Sequence, residues 1–146
     1  MNHSLEGARN QLVNQLVYLD EGLVMFLNEY FPNPNQQRII VENTLNNYTS
    51  ILEDVLRNFS VNNLNSYALI GSKVTVQYLD DNTIESFVIV FPASTNPDKN
   101  MISFLSPIGL QLLMTQINET YELEIPSGTI PVRVQDIQYY NHGSVE

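Results

Sequence analysis

Two apolar runs with a seven-residue repeat, separated by a pair of prolines, constrain the N-terminal half of this chain more than any other feature. From Leu5 to Tyr30 the apolar residues fall at Leu5, Leu12, Leu16, Leu19, Leu23, Phe26 and Tyr30, alternating spacings of four and three with only Arg9 interrupting. This is the period of a coiled-coil seam. Val13, Val17, Val24 and Leu27 lie beside it and widen it to the face of a helix that meets more than one neighbour. The spacing predicts a helix from Ser4 to Phe31, roughly 40 Å long at 1.5 Å per residue. Pro32 and Pro34 stop it, because proline donates nothing to the ladder and pushes its predecessor out of helical geometry. The repeat resumes at Val41, Leu45, Tyr48, Leu52, Val55 and Phe59, with Ile40, Ile51 and Leu56 flanking, and predicts a second helix from Asn35 to Phe59. Two stripes of similar length joined by a turn as short as Phe31 to Asn35 bury each other by folding back. An antiparallel coiled-coil hairpin over residues 1–66 is the expectation, with two ordinary helices of a compact bundle as the alternative.

After the polar, asparagine-rich stretch Val61 to Ser66 the period changes to two. Lys73 to Tyr78 and Ser86 to Phe91 read as strands joined at Asp80-Asp81-Asn82, a hairpin. Pro92 to Asn100 is a loop, Met101 to Phe104 a short strand, and Ser106-Pro107 has the N-cap and first-turn chemistry of a helix running to Met114. Thr120 to Ile125 and Thr129 to Tyr139, joined at Pro126-Ser127-Gly128, complete the strands, with Pro131 expected on an edge or at a strand start. Residues 67–146 thus read as a small α+β unit, a mostly antiparallel sheet with one short helix.

Composition removes several function classes. Six Lys and Arg against sixteen Asp and Glu give a net charge of -10, and phosphate neutralisation dominates sequence-independent nucleic-acid affinity, so no autonomous nucleic-acid binding is expected. The chain has no cysteine, which excludes disulfides, thiolate nucleophiles and Cys-based metal sites. With no signal-peptide pattern in the first thirty residues and no long apolar run, a cytoplasmic protein without membrane association is expected. The Asn-x-Ser/Thr triplets at Asn2, Asn47, Asn58 and Asn118 read as chance in an asparagine-rich chain. His3 and His142 stand near opposite termini without a second ligand at helical spacing, so no zinc site is expected. Asp80-Asp81 and Glu53-Asp54 read as solvated turn and helix-flank pairs, and Glu122 and Glu124 as a solvent-facing strand stripe. No nucleophile elbow, phosphate loop or dinucleotide fingerprint occurs, and no cofactor or metal is expected.

The segment Ser103 to Tyr121, S-F-L-S-P-I-G-L-Q-L-L-M-T-Q-I-N-E-T-Y, resembles the C-terminal signature of the Gre family of bacterial transcription elongation factors. Ser103, Ser106, Pro107, Ile108, Gly109, Leu112, Leu113, Asn118 and Glu119 fit the signature, whereas Gln111 stands where the family has a small residue and Tyr121 where it has an aliphatic. Leu69 to Val76 and Asn96 to Ser103 also resemble the family's domain entry and the loop before its short strand. The resemblance spans residues 69 to 140. It implies an N-terminal coiled-coil hairpin followed by an FKBP-like globular domain. It also implies RNA polymerase core enzyme as partner, with the globular domain docking at the rim of the secondary channel and the hairpin reaching toward the active site.

In cleavage-stimulating members, the resemblance further implies, a pair of tip carboxylates helps hold a second Mg²⁺ that activates water for hydrolysis of backtracked RNA. Here the tip, Asn28 to Gln37, has Glu29 as its only acid, and aligning the seams puts Tyr30 and Asn33 where the two acids belong. Asp20, Glu21 and Glu42 lie about two or more helical turns away. The resulting expectation is a polymerase-binding regulator that does not stimulate cleavage and is itself no enzyme. A cleavage-stimulating factor using Glu29 and an FKBP-like interaction or chaperone module are the alternatives. The tip residues Glu29, Tyr30, Phe31, Pro32 and Asn33 and the docking candidates Ser106, Pro107 and Gly109 form the expected site, a purely structural helix start being the other reading of the last three. Met25, Phe26, Leu27, Tyr30 and Phe31 crowd the end of the first helix, where partial exposure as a contact patch is expected. Self-association or a hairpin folded down onto the sheet are the competing outcomes.

Overall fold

The computed structural model describes residues 5–140 and 143–145. Asn2 with its triplet, His3 and His142 lie outside the described residues. Helices α1 (Leu5–Tyr30) and α2 (Gln36–Arg57) form the antiparallel hairpin. On α2 the seam is buried at Val41, Leu45, Tyr48, Leu52 and Val55. On α1 burial falls at Ala8, Leu12, Gln15, Leu19, Phe26 and Leu27, whereas Val17 and Val24 are 47% and 66% exposed. The expected widening of the first seam therefore fails at those two valines. A single turn, α3 (Val61–Leu64), occupies the stretch read as polar; Ser60 caps it by accepting from the Asn63 N–H at 3.1 Å, and Leu64 is buried.

The remaining elements are β1 (Ser72–Tyr78), β2 (Ile84–Val90), β3 (Met101–Ser103), α4 (Pro107–Leu112), β4 (Thr120–Ile125) and β5 (Gly128–Tyr139), in the sheet order β3-β2-β1-β5-β4. The β1–β2 turn is built by Asp81, whose carboxylate accepts from the Thr83 hydroxyl at 2.7 Å and its N–H at 3.0 Å; these bonds lower the Asp81 pKa. Every pairing is antiparallel except β2 with β3, where Val88 aligns with Met101 and Val90 with Ser103. The returning chain, residues 91–100, makes two 3₁₀ turns, each opened by a proline, and Asn100 takes a left-handed φ of 55°. Pro131 is not on an edge, because β5 lies between β1 and β4. It is tolerated because the β1 register ends at Tyr78 opposite Val132, beyond which only the Pro131 carbonyl is used, accepting from Leu79 N–H at 3.0 Å.

One apolar cluster runs through hairpin and sheet. Ile70 precedes β1, Phe91 follows β2, Phe104 follows β3 and Tyr139 ends β5, so all four stand at the same end of the sheet, and α1 lies across that end. The Gln15 amide donates to the carbonyls of Ile70 and Gly143, both at 2.8 Å, and its oxygen accepts from the Tyr48 hydroxyl at 2.6 Å. That hydroxyl accepts in turn from Ile70 N–H at 2.8 Å, which leaves each polar atom of this buried junction paired. Gly71 enters β1 with φ +111°, and a Cβ there would meet the Tyr139 ring at 2.6 Å and Gly143 N at 2.7 Å, so the close approach requires glycine.

Candidate functional site

The hairpin turn is held by a residue that the seam pattern does not single out. Asn35 caps α2 by accepting from Arg38 N–H at 3.1 Å, and the Arg38 guanidinium reaches back across the turn. It donates to the Phe31 carbonyl at 2.8 Å and to Asn28 Oδ1 at 3.0 Å. Neither helix end has the charge its own dipole prefers, since α1 carries no basic residue in its last turn and α2 no acidic residue in its first. Arg38 supplies the missing cation to the end of α1. The sequence signal for it was a lone arginine three residues after a capping asparagine, legible only once the end of α1 is known to stand beside it.

Around that clamp, Glu29, Pro32 and Asn33 are exposed and Tyr30 and Phe31 half-buried. Tyr30 packs on Phe26 at a ring-centroid distance of 4.8 Å. Phe26 is 2% exposed and belongs to a closed circuit of four rings: it stacks on Phe104 at 5.7 Å, Phe104 meets Phe91 at 5.2 Å, Phe91 meets Tyr18 at 5.9 Å, and Tyr18 returns to Phe26 at 6.2 Å. The expected apolar tip is thus divided. Met25 is 79% exposed, while Phe26 and Leu27 are buried because the hairpin is folded down and Phe91 and Phe104 supply the third wall that two helices lack.

Phe104 brings the second group of expected residues into the same neighbourhood. Ser106 caps α4 by accepting from Gly109 N–H at 3.1 Å and donates its own proton to the Ser103 carbonyl at 2.7 Å. Pro107 occupies the first helical turn and is exposed. Gly109 is buried, and a Cβ there would stand 2.1 Å from the Ser103 carbonyl oxygen. Ser106 and Gly109 therefore build the turn, and Pro107 is the member of the three that a partner can reach. Gln111, the departure from the family pattern, donates to the Glu124 carbonyl at 2.9 Å and accepts from its N–H at 2.7 Å. It pairs the outward backbone groups of Glu124 on β4, an edge strand. Asn118, at φ 68°, uses the left-handed tolerance of asparagine to join the β5 ladder through its N–H to Val134 at 2.7 Å.

Elsewhere the expected solvated acids are exposed: Glu122, Glu124, Asp80, and Glu53 with Asp54, the last paired to Arg57 at 2.8 Å. Among the described residues no group of three or more His, Asp or Glu side chains is placed to hold a metal ion, and no helix is long and apolar enough to cross a membrane. A groove of about 640 Å³ lies between α1 and residues 144–145 and is lined by neither the tip nor the α4 turn.

Residues 65–139 match the family described as transcription elongation factor, GreA/GreB, C-terminal. The chain is 36% identical over 69 residues to the transcription elongation factor GreA of Chloroflexus aggregans, a match covering 47% of this chain and 44% of that protein. It is 34% identical over 110 residues to GreA of a Roseiflexus species, covering 75% of this chain and 69% of that protein. For the Chloroflexus relatives, the chain spans somewhat under half their length, 44% and 47%. The GreA/GreB factor of Nitrosomonas europaea shares the fold, with a TM-score of 0.55 at 18% identity over 82% of this chain and 93% of that one. Profile, sequence and fold agree that this chain belongs to the GreA/GreB family of transcription elongation factors.

Proposed function

We propose that this chain binds RNA polymerase core enzyme at the secondary channel and modulates transcription from there, in the cytoplasm, without stimulating RNA cleavage and without catalytic chemistry of its own. Membership of the family supports the polymerase part of this reading, and the observation that carries the lack of cleavage stimulation is the charge at the tip, where one exposed carboxylate, Glu29, shares the turn with the tethered guanidinium of Arg38. For a divalent ion about 4 Å from one carboxylate, attraction at the dielectric of water is only about 2 kcal/mol, and a guanidinium in the same turn opposes it. One carboxylate so opposed is a weak holder of a second Mg²⁺.

In this reading residues 67–146 dock and residues 1–66 form the probing hairpin, with Pro107 at the docking face and Tyr30, Phe31, Pro32 and Asn33 at the tip. Beyond Phe26, its last ring contact with the sheet, the hairpin extends by about one helical turn and the connection to Asn35. A factor held this way acts as a short plug near the channel entrance and competes there with cleavage factors. Co-purification with core RNA polymerase, challenged by a cleavage factor of the same family, tests it. Retention on the enzyme and mutual displacement are expected; no retention, or simultaneous binding of both factors, would refute the reading.

A further inference from the structure

The sheet has a second face, turned away from the apolar cluster. In register across β3, β2 and β1 stand Met101, Val88 and Lys73. The proline-opened turns of residues 92–99 and Tyr140, just past β5, flank this row and line an open groove of about 540 Å³. That is the size of a small-molecule pocket. Val88 and Met101 give an apolar floor, and the polar lining consists of Lys73, Lys99, Ser94, Thr95, Asn96 and Tyr140.

The lining is unusual for this protein in its charge. Of six Lys and Arg in a chain with sixteen acids, two line this groove and no acid does. Asp98 adjoins Lys99 in the chain and Asp136 lies one step along the same face from the Lys73–Gln138 pair, yet neither lines the groove. The ion pair among the described residues is Arg57 with Asp54, so both lysines are without a carboxylate partner. Lys73 Nζ is 5.4 Å from the centroid of the Tyr140 ring, which positions the ammonium at the groove wall. Two unpaired ammonium groups with hydroxyl and amide donors beside them, over an apolar floor, suit a ligand that is anionic at one end and planar or apolar at the other.

We infer that this face of the sheet binds a nucleotide-sized phosphorylated ligand, with Lys73 and Lys99 on its phosphates and Val88 and Met101 beneath its planar part. The net charge of -10 favours a compact ligand over a nucleic acid, whose flanking phosphates would lie over acidic surface. The inference does not depend on polymerase binding. The test is amide NMR titration of the full chain, without Mg²⁺, using ATP, pyrophosphate and adenosine as separate probes. ATP should give saturable shifts confined to residues 73, 88, 94–101 and 140, with pyrophosphate weaker and adenosine weakest, and added salt should weaken ATP binding. Lys73→Gln and Lys99→Gln should each lower the affinity about tenfold with unchanged thermal stability. Absence of saturable shifts with ATP, adenosine binding as tightly as ATP, or undiminished ATP affinity when both lysines are replaced would overturn the assignment.

Discussion

The ring of Phe26 lies nearly parallel to that of Phe104, 5.7 Å between centroids and 16° between planes, and this stack ties the distal half of the first helix to the turn that opens α4. Both rings are buried, and Phe91 and Tyr18 close the circuit around them. Hairpin and sheet consequently share one core, in which neither side is fully buried without the other.

Phe26→Ala should therefore destabilise the whole protein by about 3–5 kcal/mol, the usual cost of emptying an aromatic site in a core. Met25→Ser, one residue earlier but 79% exposed, should change stability by no more than about 0.5 kcal/mol. Chemical denaturation monitored by both helix signal and tyrosine fluorescence checks this, with coincident transitions expected from a shared core.

Tyr48→Phe should cost about 1–3 kcal/mol for each of the two buried groups it orphans, Gln15 Oε1 and the Ile70 N–H. Burial also pushes the Tyr48 hydroxyl pKa well above its ordinary value, burial raises Tyr139, and burial with the Glu85 hydrogen bond brings Tyr78 up to about 12. The folded state thus holds protons that the unfolded chain releases above about pH 10, so stability contributed by these groups is complete below that pH and declines as pH rises further. Melting temperature should be level with respect to these tyrosines between pH 7 and 9 and fall above pH 10, with a shallower fall in Tyr48→Phe.

Gly109→Ala and Pro107→Ala separate structure from docking within one turn. The first drives a methyl group into the Ser103 carbonyl and should lower Tm by several degrees. The second removes exposed surface and should leave Tm within a degree or two while weakening retention on core polymerase. Calorimetry and co-purification on the same two variants supply both readings.

The second seam is legible residue by residue because one apolar face at helical period leaves little choice. The first is legible only in part, since periodicity gives the face of a helix but not the direction from which a third layer arrives. That layer comes from Phe91 and Phe104, far along the chain, and so Gln15 and Leu27 are buried while Val17 and Val24 are not. Pro131 reads locally as an edge or strand-start residue, because strand order is a long-range property and local sequence does not reveal that β5 runs inside the sheet. At the tip the shortage of acids is plain in the sequence, but the Arg38 clamp depends on the proximity of two helix ends that only the folded turn creates.

The tip also predicts how activity would be installed. Tyr30→Asp with Asn33→Glu supplies the missing carboxylates, but Arg38 remains beside them, so cleavage stimulation should be greater when Arg38→Gln is added. Measured gain in the triple variant over the double variant supports a charge origin for the proposed inactivity of the tip; equal values would assign it to reach.

RNA cleavage in stalled, backtracked polymerase complexes with Mg²⁺, at a concentration of this protein shown to saturate binding, tests the proposed lack of cleavage stimulation most directly. The expected result is shortening no faster than the polymerase achieves alone, because the single carboxylate of Glu29, with the Arg38 guanidinium tethered in the same turn, is a weak holder of the second ion. Rapid cleavage that disappears in Glu29→Ala would contradict it and make this chain a cleavage factor working with a single tip carboxylate.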